Sequence, residues 1–391
     1  MDLKIYASVI EGKAQNQIYE LAKTEVFKNS KIRIMPDVHA GKGCVVGFTA
    51  KLEDKVIPNV IGVDEGCGVL VAELGKIDIN YKNLDNYIKE NIPFGLRVNS
   101  TIQKEFDLTQ LYCYNELKNV NKLKLSLGSL GGGNHFIEVD TDDKDNKYLV
   151  VHTGSRNLGL QVASLYQKKA IHYCHVDALK KKQGELAKEY KAQGRQAEIS
   201  DAIKELYKEC PEYSLPDDLC FLEGKLAEDY LHDMKICQVF AKENRAKIVE
   251  KITSFLGVYK FNSFESVHNY IDDENVVRKG AISAHKGERV IVPLNMKDGS
   301  IIGIGKGNAD WNESCSHGAG RVMSRSEAKA NLSLEEFQET MKGIYSTTVS
   351  IDTIDESPMA YKNACDILDL ISETIDVEKI ITPVYNFKAS E

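Results

Sequence analysis

Short apolar runs rich in valine and isoleucine recur along the chain, and each lies beside a polar turn that contains glycine. Four of these runs cover residues 31–35, 68–72, 148–151 and 289–293. Short runs of this kind, bounded by turn residues, are typical of buried strands. The pattern therefore predicts strands that feed loops carrying polar side chains.

The pattern changes to helical spacing between residues 158 and 256. Segments rich in lysine, glutamate, alanine and leucine occupy residues 178–209 and 222–255, with apolar positions three and four apart. No linker rich in proline or serine divides the chain, and no internal repeat is found. We therefore predict one α+β domain over residues 1–391, with a helical insertion at about 158–256.

Two more helices are predicted near the end of the chain, over residues 334–342 and 361–375. Ser333 and Glu336 have the spacing of a capping box before the first of them. Ser357 is a looser start signal for the second.

Composition narrows the class of protein. The chain has 391 residues, is 42% hydrophobic and carries a formal charge of −8. This charge argues against general adhesion to nucleic acid, although it permits a local basic groove. No apolar run approaches the roughly 18 residues of a membrane span. The nine cysteines form no close pair, which argues against a disulfide framework. We expect a cytoplasmic protein with reduced thiols and no membrane partner.

Residues 316–323 set one imidazole in a turn of small residues, followed by a guanidinium. His317 can act as a nucleophile or as an acid and base, and Arg321 can bind phosphate oxygens bidentately. Glycines in the turn allow a close backbone approach to a phosphate. A polar turn that starts a helix at Arg321 explains the same residues about equally well.

Metal-binding side chains recur in the upstream glycine turns. Five donors from separated segments fit a site for Mn²⁺, Zn²⁺ or Fe²⁺, and they are Asp64, Cys67, His135, His152 and His268. Taken singly, each also has an ordinary structural explanation, such as a turn aspartate, a small core cysteine or a histidine bonded to backbone.

Four other histidines carry weaker signals. His172 and His175 stand three apart on a predicted helix, a spacing that could bind metal, but we interpret them as surface or packing residues. His39 and His285 lie nearer the motifs, where contact with RNA and a structural role are about equally supported.

Six ordered motifs together resemble the RtcB family of GTP-dependent RNA ligases. The resemblance runs from Asp37 to Lys388, and the motifs cover residues 37–43, 62–68, 132–138, 152–156, 267–270 and 316–321. It implies a fold of central β-sheets flanked by helices, with the site in a deep pocket. It also implies two Mn²⁺ ions held by the five donors named above, with Cys67 as the bridge.

The resemblance implies a reaction as well. His317, oriented by Asp37, would attack the α-phosphate of GTP, and the GMP would pass to an RNA 3′-phosphate before a 5′-hydroxyl displaces it. Ends with a 2′,3′-cyclic phosphate would first be opened at the same metals. The RNA would be tRNA or ribosomal RNA, a choice that the sequence leaves open, as it does the need for an activating protein. A monomer is expected.

Further site residues follow from matching positions in the family. Asn134, Glu138, Tyr361 and Lys388 would bind the nucleotide, with Glu138 at the guanine edge, and the turn Gly318, Ala319, Gly320 and Arg321 would lie beside it. Arg156 and Lys279 would contact RNA or phosphate. The family pattern is not matched at residues 295–311, so that loop's nucleotide contacts are left open.

Two rival functions remain open at this point. A metal-dependent hydrolase of cyclic phosphates would use the same donors without needing His317. A non-catalytic binder of RNA ends would need neither His317 nor the metal donors for chemistry.

Overall fold

A seven-stranded antiparallel sheet forms the centre of the protein and positions most of the candidate metal donors. The computed structural model describes residues 2–209 and 215–389. Its strands are β1 (Asp2–Ile5), β2 (Lys31–His39), β3 (Val46–Lys51), β4 (Lys55–Val56), β5 (Gly68–Gly75), β6 (Phe136–Thr141), β7 (Lys147–Thr153), β8 (Leu222–Glu223), β9 (Asn262–Val267), β10 (Asn269–Ile271), β11 (Val276–Lys279), β12 (Ala281–Ser283), β13 (Arg289–Asn295), β14 (Gly299–Gly305), β15 (Ser314–Ser316) and β16 (Ile375–Lys388).

The order of strands in this sheet is β13-β14-β16-β6-β7-β5-β9, and every neighbouring pair is antiparallel. In antiparallel neighbours the start of one strand meets the end of the next. Gly68 at the start of β5 therefore pairs with Thr153 in β7 and Val267 in β9, and Phe136 at the start of β6 pairs with His152. Loops before β5 and β6 and after β9 thus meet at one edge of the sheet.

A second sheet supplies the other wall of the site. Its order is β1-β2-β3-β11-β10, with β1 and β2 parallel and the other pairs antiparallel. The short pair β12 and β15 places Ser316 opposite Ala281, so the chain enters the turn at His317 beside the end of β11. All four predicted strands are confirmed, and the mixed α/β class with them.

The helices are α1 (Gly12–Lys23), α2 (Pro58–Ile61), α3 (Tyr81–Asn91), α4 (Val120–Leu125), α5 (Arg156–His172), α6 (Ala178–Ala192), α7 (Ile199–Glu209), α8 (Gly224–Phe255), α9 (Arg325–Asn331), α10 (Leu334–Thr340) and α11 (Ala364–Ile371). A π-helical turn, Tyr173–Asp177, joins α5 to α6. Helix α8 packs against β5 and β7, so this part of the helical segment belongs to the core that supports the site. No helix of the described ranges is long and apolar enough to cross a membrane.

The predicted helix over residues 361–375 is wrong at both ends. The structure has only Ala364–Ile371 in α11, capped by the Asn363 side chain. Tyr361 instead pairs with Arg321 in an isolated bridge, and Ile375 already belongs to β16. Helix α10 agrees with its prediction, since the Ser333 hydroxyl accepts a hydrogen bond from the Glu336 amide.

Candidate functional site

The five predicted metal donors meet at the shared edge of the central sheet, and we call them the metal-donor cluster: Asp64, Cys67, His135, His152 and His268. They form two groups of three that share Cys67, each with its ligand atoms within 4.8 Å of one another. The Cys67 Sγ lies 3.3 Å from His152 Nε2 and 3.5 Å from His135 Nε2. This arrangement suits two divalent cations bridged by one thiolate, because thiolate, imidazole and carboxylate are the ligands such ions take.

Backbone carbonyls orient two of the imidazoles. The Nδ1 atom of His135 lies 2.9 Å from the Leu130 carbonyl, and that of His152 lies 3.1 Å from the Asn134 carbonyl. A carbonyl can only accept, so each Nδ1 carries the proton and each Nε2 presents its lone pair to the cluster. Burial lowers the pKa of His152 and His268 well below the usual value, which keeps both rings neutral as ligands.

The two acidic members of the cluster, Cys67 and Asp64, differ in whether they need a cation to lose their proton. Burial, and next the Asp64 carboxylate, raise the pKa of the Cys67 thiol well above its usual value. Without a cation the thiol keeps its proton, and a bound cation removes it. Burial also acts to raise the pKa of Asp64, but contact with His135 outweighs it and leaves this pKa lowered. The Asp64 Oδ2 atom lies 3.0 Å from His135 Nε2.

Three polar side chains of α8 hold the turns that carry the cluster, and sequence analysis missed all three. Arg245 donates to the carbonyls of Gly66 and Thr153 at 2.8 and 2.9 Å. Asn244 accepts a hydrogen bond from the Gly128 amide, and Tyr230 donates one to the Glu65 carboxylate. All three lie fully buried. Polar residues at buried helical positions were the available signal, but the turn residues that they hold are more than 90 residues away along the chain.

His317 sits directly beside the metal-donor cluster with Asp37 behind it. Its Nδ1 lies 2.7 Å from Asp37 Oδ2, and the same oxygen accepts from the backbone amides of His317 and Gly318. The rings of His317 and His268 are 4.9 Å apart between centroids. With Nδ1 donating to the carboxylate, Nε2 is left as the nucleophilic atom.

The glycine at position 320 is required by this contact. Its φ is +75°, and a Cβ built there would lie 2.4 Å from the Asp37 carbonyl oxygen. Only glycine brings the turn 316–321 this close to β2.

A cavity of about 320 Å³ opens between the two sheets and joins the candidate residues. Its lining contains His317, the turn Gly318, Ala319, Gly320 and Arg321, most of the metal-donor cluster, and the predicted nucleotide contacts Asn134, Glu138, Tyr361 and Lys388. This volume falls in the range of small-molecule sites.

A buried carboxylate that the sequence did not single out organises the far wall of the cavity. We call this wall the Glu356 cluster: Arg321, Arg325, Glu356, Tyr361 and Lys388. Glu356 accepts from Tyr361 Oη at 2.6 Å and pairs with Lys388 Nζ at 2.8 Å and Arg325 at 2.9 Å. Burial would raise the pKa of Glu356, but Lys388, Arg325 and Arg321 outweigh it and lower this pKa to about 2.

Glu138 is buried beside a second carboxyl group. Its Oε1 accepts from Asn386 Nδ2 at 2.5 Å, and burial raises the pKa of Glu138 to about 7 despite the opposing charge of Lys388. Burial and the neighbouring Glu138 raise the pKa of Asp140 well above its usual value. Of the two, Asp140 keeps its proton and Glu138 is the one poised to ionise near neutral pH.

The basic side chains predicted to bind phosphate differ in whether they line the cavity. Lys279 lines the cavity, although its Nζ donates to the carbonyls of Lys42 and Asn59 at 2.7 and 3.1 Å. Arg156 is not in the lining, and its guanidinium donates to Ser129 Oγ and the Gly95 carbonyl. The Arg321 donors are engaged within the protein, including a 2.5 Å bond to the Asp355 carbonyl. Arg325 is more exposed and lies in the lining.

The loop that departs from the family pattern splits into two parts. Asn295 and Met296 line the cavity, together with the two residues just before this stretch, Pro293 and Leu294. Residues 306–311 lie elsewhere: Lys306 donates to the Ser372 carbonyl and the Asp310 carboxylate binds Arg33. Of the other histidines, His39 lines the cavity and burial lowers its pKa to about 4. His285 pairs with Glu313 outside it.

Known proteins are similar to this chain over most of its length. The family model described as tRNA-splicing ligase RtcB matches residues 17–120 and 114–389. The RNA-splicing ligase RtcB of Escherichia coli K12 is 29% identical, with 94% of this chain and 92% of that protein aligned. The tRNA-splicing ligase RtcB of Nanoarchaeum equitans is 25% identical, over 89% of this chain and 85% of its own length. The chain belongs to the RtcB family.

Proposed function

We propose that this protein is an RNA ligase that uses GTP to join an RNA 3′-phosphate to a 5′-hydroxyl end. The observation that carries the proposal is His317, paired with Asp37 at 2.7 Å and in ring contact with a metal donor, at the wall of a cavity lined with cationic side chains. The names of the E. coli and N. equitans relatives support ligation as the reaction class.

The metal-donor cluster would hold two Mn²⁺ ions. Its donors fit because they form two groups of three that share one thiol. Bound there, such ions would polarise phosphate oxygens and neutralise charge on attacking and leaving groups. The protein's own contribution is to keep His152 and His268 neutral and to direct the Nε2 lone pairs of His135 and His152 at the cluster.

The first step takes place at His317. Its Nε2 lone pair forms a bond to the α-phosphorus of GTP, the bond to the β-phosphate oxygen breaks, and pyrophosphate leaves with that electron pair. The ring becomes positively charged, since Nδ1 keeps its proton, and the Asp37 carboxylate stabilises the charge. A histidine–GMP phosphoramidate results.

Two further transfers complete the reaction. An oxygen of the RNA 3′-phosphate displaces His317 from the GMP phosphorus, which gives an RNA end activated by a diphosphate bridge to guanosine. The 5′-hydroxyl oxygen then attacks the RNA phosphorus, loses its proton and releases GMP. A 2′,3′-cyclic phosphate end would first need hydrolysis to a 3′-phosphate.

Guanine selection is assigned to Glu138. Its ionised carboxylate can accept from both the N1–H and the exocyclic amine of guanine, a donor pair that adenine lacks. Lys388 and Tyr361, fixed by Glu356, would close the nucleotide side of the cavity. The RNA would enter past exposed Lys42, which lies in the lining.

Incubation with GTP labelled at the α-phosphate tests the proposal. Wild-type protein with Mn²⁺ should acquire label that is lost in acid and kept in alkali, and His317→Ala should acquire none. His285→Ala is the matched control, because this ring also pairs with a carboxylate but lies outside the cavity.

Two results would contradict the ligase. Label that persists on His317→Ala would place the covalent bond elsewhere. An unlabelled wild type that still opens cyclic phosphate ends would identify a hydrolase, and one that only retains RNA would identify an end-binding protein.

A further inference from the structure

A second group of metal-type side chains lies on the helical side of the molecule, and no member of it lines the cavity. His175, Asp217 and Cys220 bring one ligand atom each within 4.8 Å of one another. The His175 Nε2 atom lies 3.2 Å from Asp217 Oδ1 and 3.5 Å from Cys220 Sγ. The sequence interpretation of His175 as a surface or packing residue took no account of the two partners, which are more than 40 residues away.

One ring nitrogen faces two partners in this group. As a hydrogen-bond donor this nitrogen can serve only the carboxylate, and as an acceptor it can serve only the thiol. The Cys220 thiol also lies 3.6 Å from the Pro216 carbonyl. A cation placed among the three atoms satisfies imidazole, carboxylate and thiolate together.

A further thiol lies against this group. Cys174 contacts Cys220. The Phe221 amide donates to Cys174 Sγ at 3.3 Å. Backbone amide donors to sulfur are the kind of surrounding contact that tunes thiol ligands in metal sites.

The backbone around the group is fixed without help from a cation. The π-helical turn Tyr173–Asp177 places Cys174 inside the core and His175 at its edge, and π-helical turns are frequently found at functional sites. On the opposite side, Gln167 Nε2 donates to the carbonyls of Asp217 and Cys220. Both segments are therefore held in position to act as ligands.

We infer that His175, Asp217 and Cys220 form a second metal site that takes a single thiophilic divalent cation, Zn²⁺, with Cys174 supporting the cysteine ligand. The ion would link the π-helical turn after α5 to residues 215–221. Asp218, the next residue, accepts from Asn59 in α2 at 2.8 Å, and α2 leads into the turn of Asp64 and Cys67. The site would thus stabilise the scaffold beside the metal-donor cluster.

Co²⁺ reports on this site by absorption, because a thiolate ligand gives a charge-transfer band in the near ultraviolet. The full-length chain is used with Cys67→Ser, which removes the thiolate of the metal-donor cluster. This protein should still show the band with about one equivalent of Co²⁺, and Zn²⁺ should displace it. Adding Cys220→Ser or His175→Ala should abolish the band.

His172→Ala and Asp218→Asn are the matched controls, since His172 lies one helical turn before His175 and Asp218 directly follows Asp217. Both variants should keep the band. If Cys220→Ser fails to fold, His175→Ala and Asp217→Asn carry the test, because these side chains are 27% and 73% exposed.

Three results would overturn the inference. The first is the lack of any band in the Cys67→Ser protein, and the second is a band that survives both His175→Ala and Cys220→Ser. The third is a Cys174–Cys220 disulfide found by peptide mapping of protein purified without reductant, since it would consume the ligand. None of these results depends on ligase activity, so failure here leaves the proposed function standing.

Discussion

The two walls of the cavity hold their polar groups in opposite ways. The metal-donor cluster contains neutral imidazoles and a thiol whose raised pKa keeps it protonated. It relies on backbone carbonyls and on α8 for its geometry, and its full charge balance needs added cations. The Glu356 carboxylate needs no added cation, because three basic side chains of the protein already pair with it.

The metal-donor cluster and the Glu356 cluster should therefore respond to pH in different ranges. Filling the metal-donor cluster releases protons, so its occupancy should change with pH near neutrality. The Glu356 cluster should change only in acid, where its carboxylate takes up a proton. His317 and Asp37 lie at the boundary, and breaking that pair tests whether both walls serve one reaction.

The largest effect is expected for Asp37→Asn. An amide cannot stabilise the charge that His317 gains on bonding to phosphorus, and it permits the wrong tautomer. By comparison with other acid–histidine pairs, the rate of GMP transfer to the protein should fall about 10²- to 10⁴-fold. Single-turnover labelling measures this rate. Glu313→Gln is the control, because it makes the same change beside His285 at 2.6 Å; equal loss in both variants would refute a special role for Asp37.

The next largest effect is on the free energy of unfolding and its dependence on pH. The folded pKa of Glu356 is about 2 and its ordinary value is 4.5, so the group stabilises the fold above pH 4.5 by about 3 kcal/mol. That contribution is lost as pH falls from 4.5 through 2. Glu356→Gln should lower the free energy of unfolding by about that amount at pH 7, and the difference from wild type should shrink in acid. Urea unfolding at several pH values measures it.

Glu339→Gln is the control for Glu356. Its carboxylate pairs with Lys342 on the surface, so its loss should change stability by no more than about 0.5 kcal/mol. A constant difference between wild type and Glu356→Gln from pH 7 to pH 2 would contradict the pairing of the Glu356 carboxylate with the basic side chains.

Stabilisation by added Mn²⁺ should depend on the metal-donor cluster. At 100 times its dissociation constant, Mn²⁺ should stabilise the wild type by about 2.7 kcal/mol, and the apparent affinity should rise with pH because Cys67 must lose its proton. Cys67→Ala should lose most of this stabilisation and its pH dependence. Cys113→Ala, at another buried thiol, should keep both. Thermal unfolding from pH 7 to 8 gives the measurement, and equal Mn²⁺ shifts in the two variants would refute the bridging role.

The sequence predicted the donors better than the groups that hold them. Cys67, His135 and His268 each flank a strand of one antiparallel sheet. The predicted strands included β5 but neither β6 nor β9, so the expectation that these donors meet came from their chemistry and from the family resemblance. Glu356 and Arg245 carry no such local signal, because the charged side chains that pair with them come from other elements of the fold. The helix predicted from residue 361 was wrong for the same reason: long-range pairing of Tyr361 with Arg321 overrides local propensity.

A smaller effect is expected at the guanine edge. Glu138 has a pKa of about 7 and must be ionised to accept from guanine, so GTP affinity should rise from pH 6 to 8, by at most about tenfold per unit below pH 7. Glu138→Gln should bind GTP weakly and with a flat profile. Calorimetric titration measures both, with ATP as the control ligand. A flat profile in the wild type would remove Glu138 from guanine recognition.

The smallest effect is expected at the cavity mouth, where neither wall is involved. Exposed Lys42 should contribute one phosphate contact, so Lys42→Ala should reduce the slope of log affinity for single-stranded RNA against log salt by about 0.7. Lys23→Ala, at an exposed lysine of α1 that pairs with Glu20, should leave the slope unchanged. The protein's net charge of −8 repels RNA. A single positive charge at the cavity mouth should therefore have its largest influence on RNA affinity there. Equal slopes for Lys42→Ala and wild type would place the RNA path along another side of the cavity.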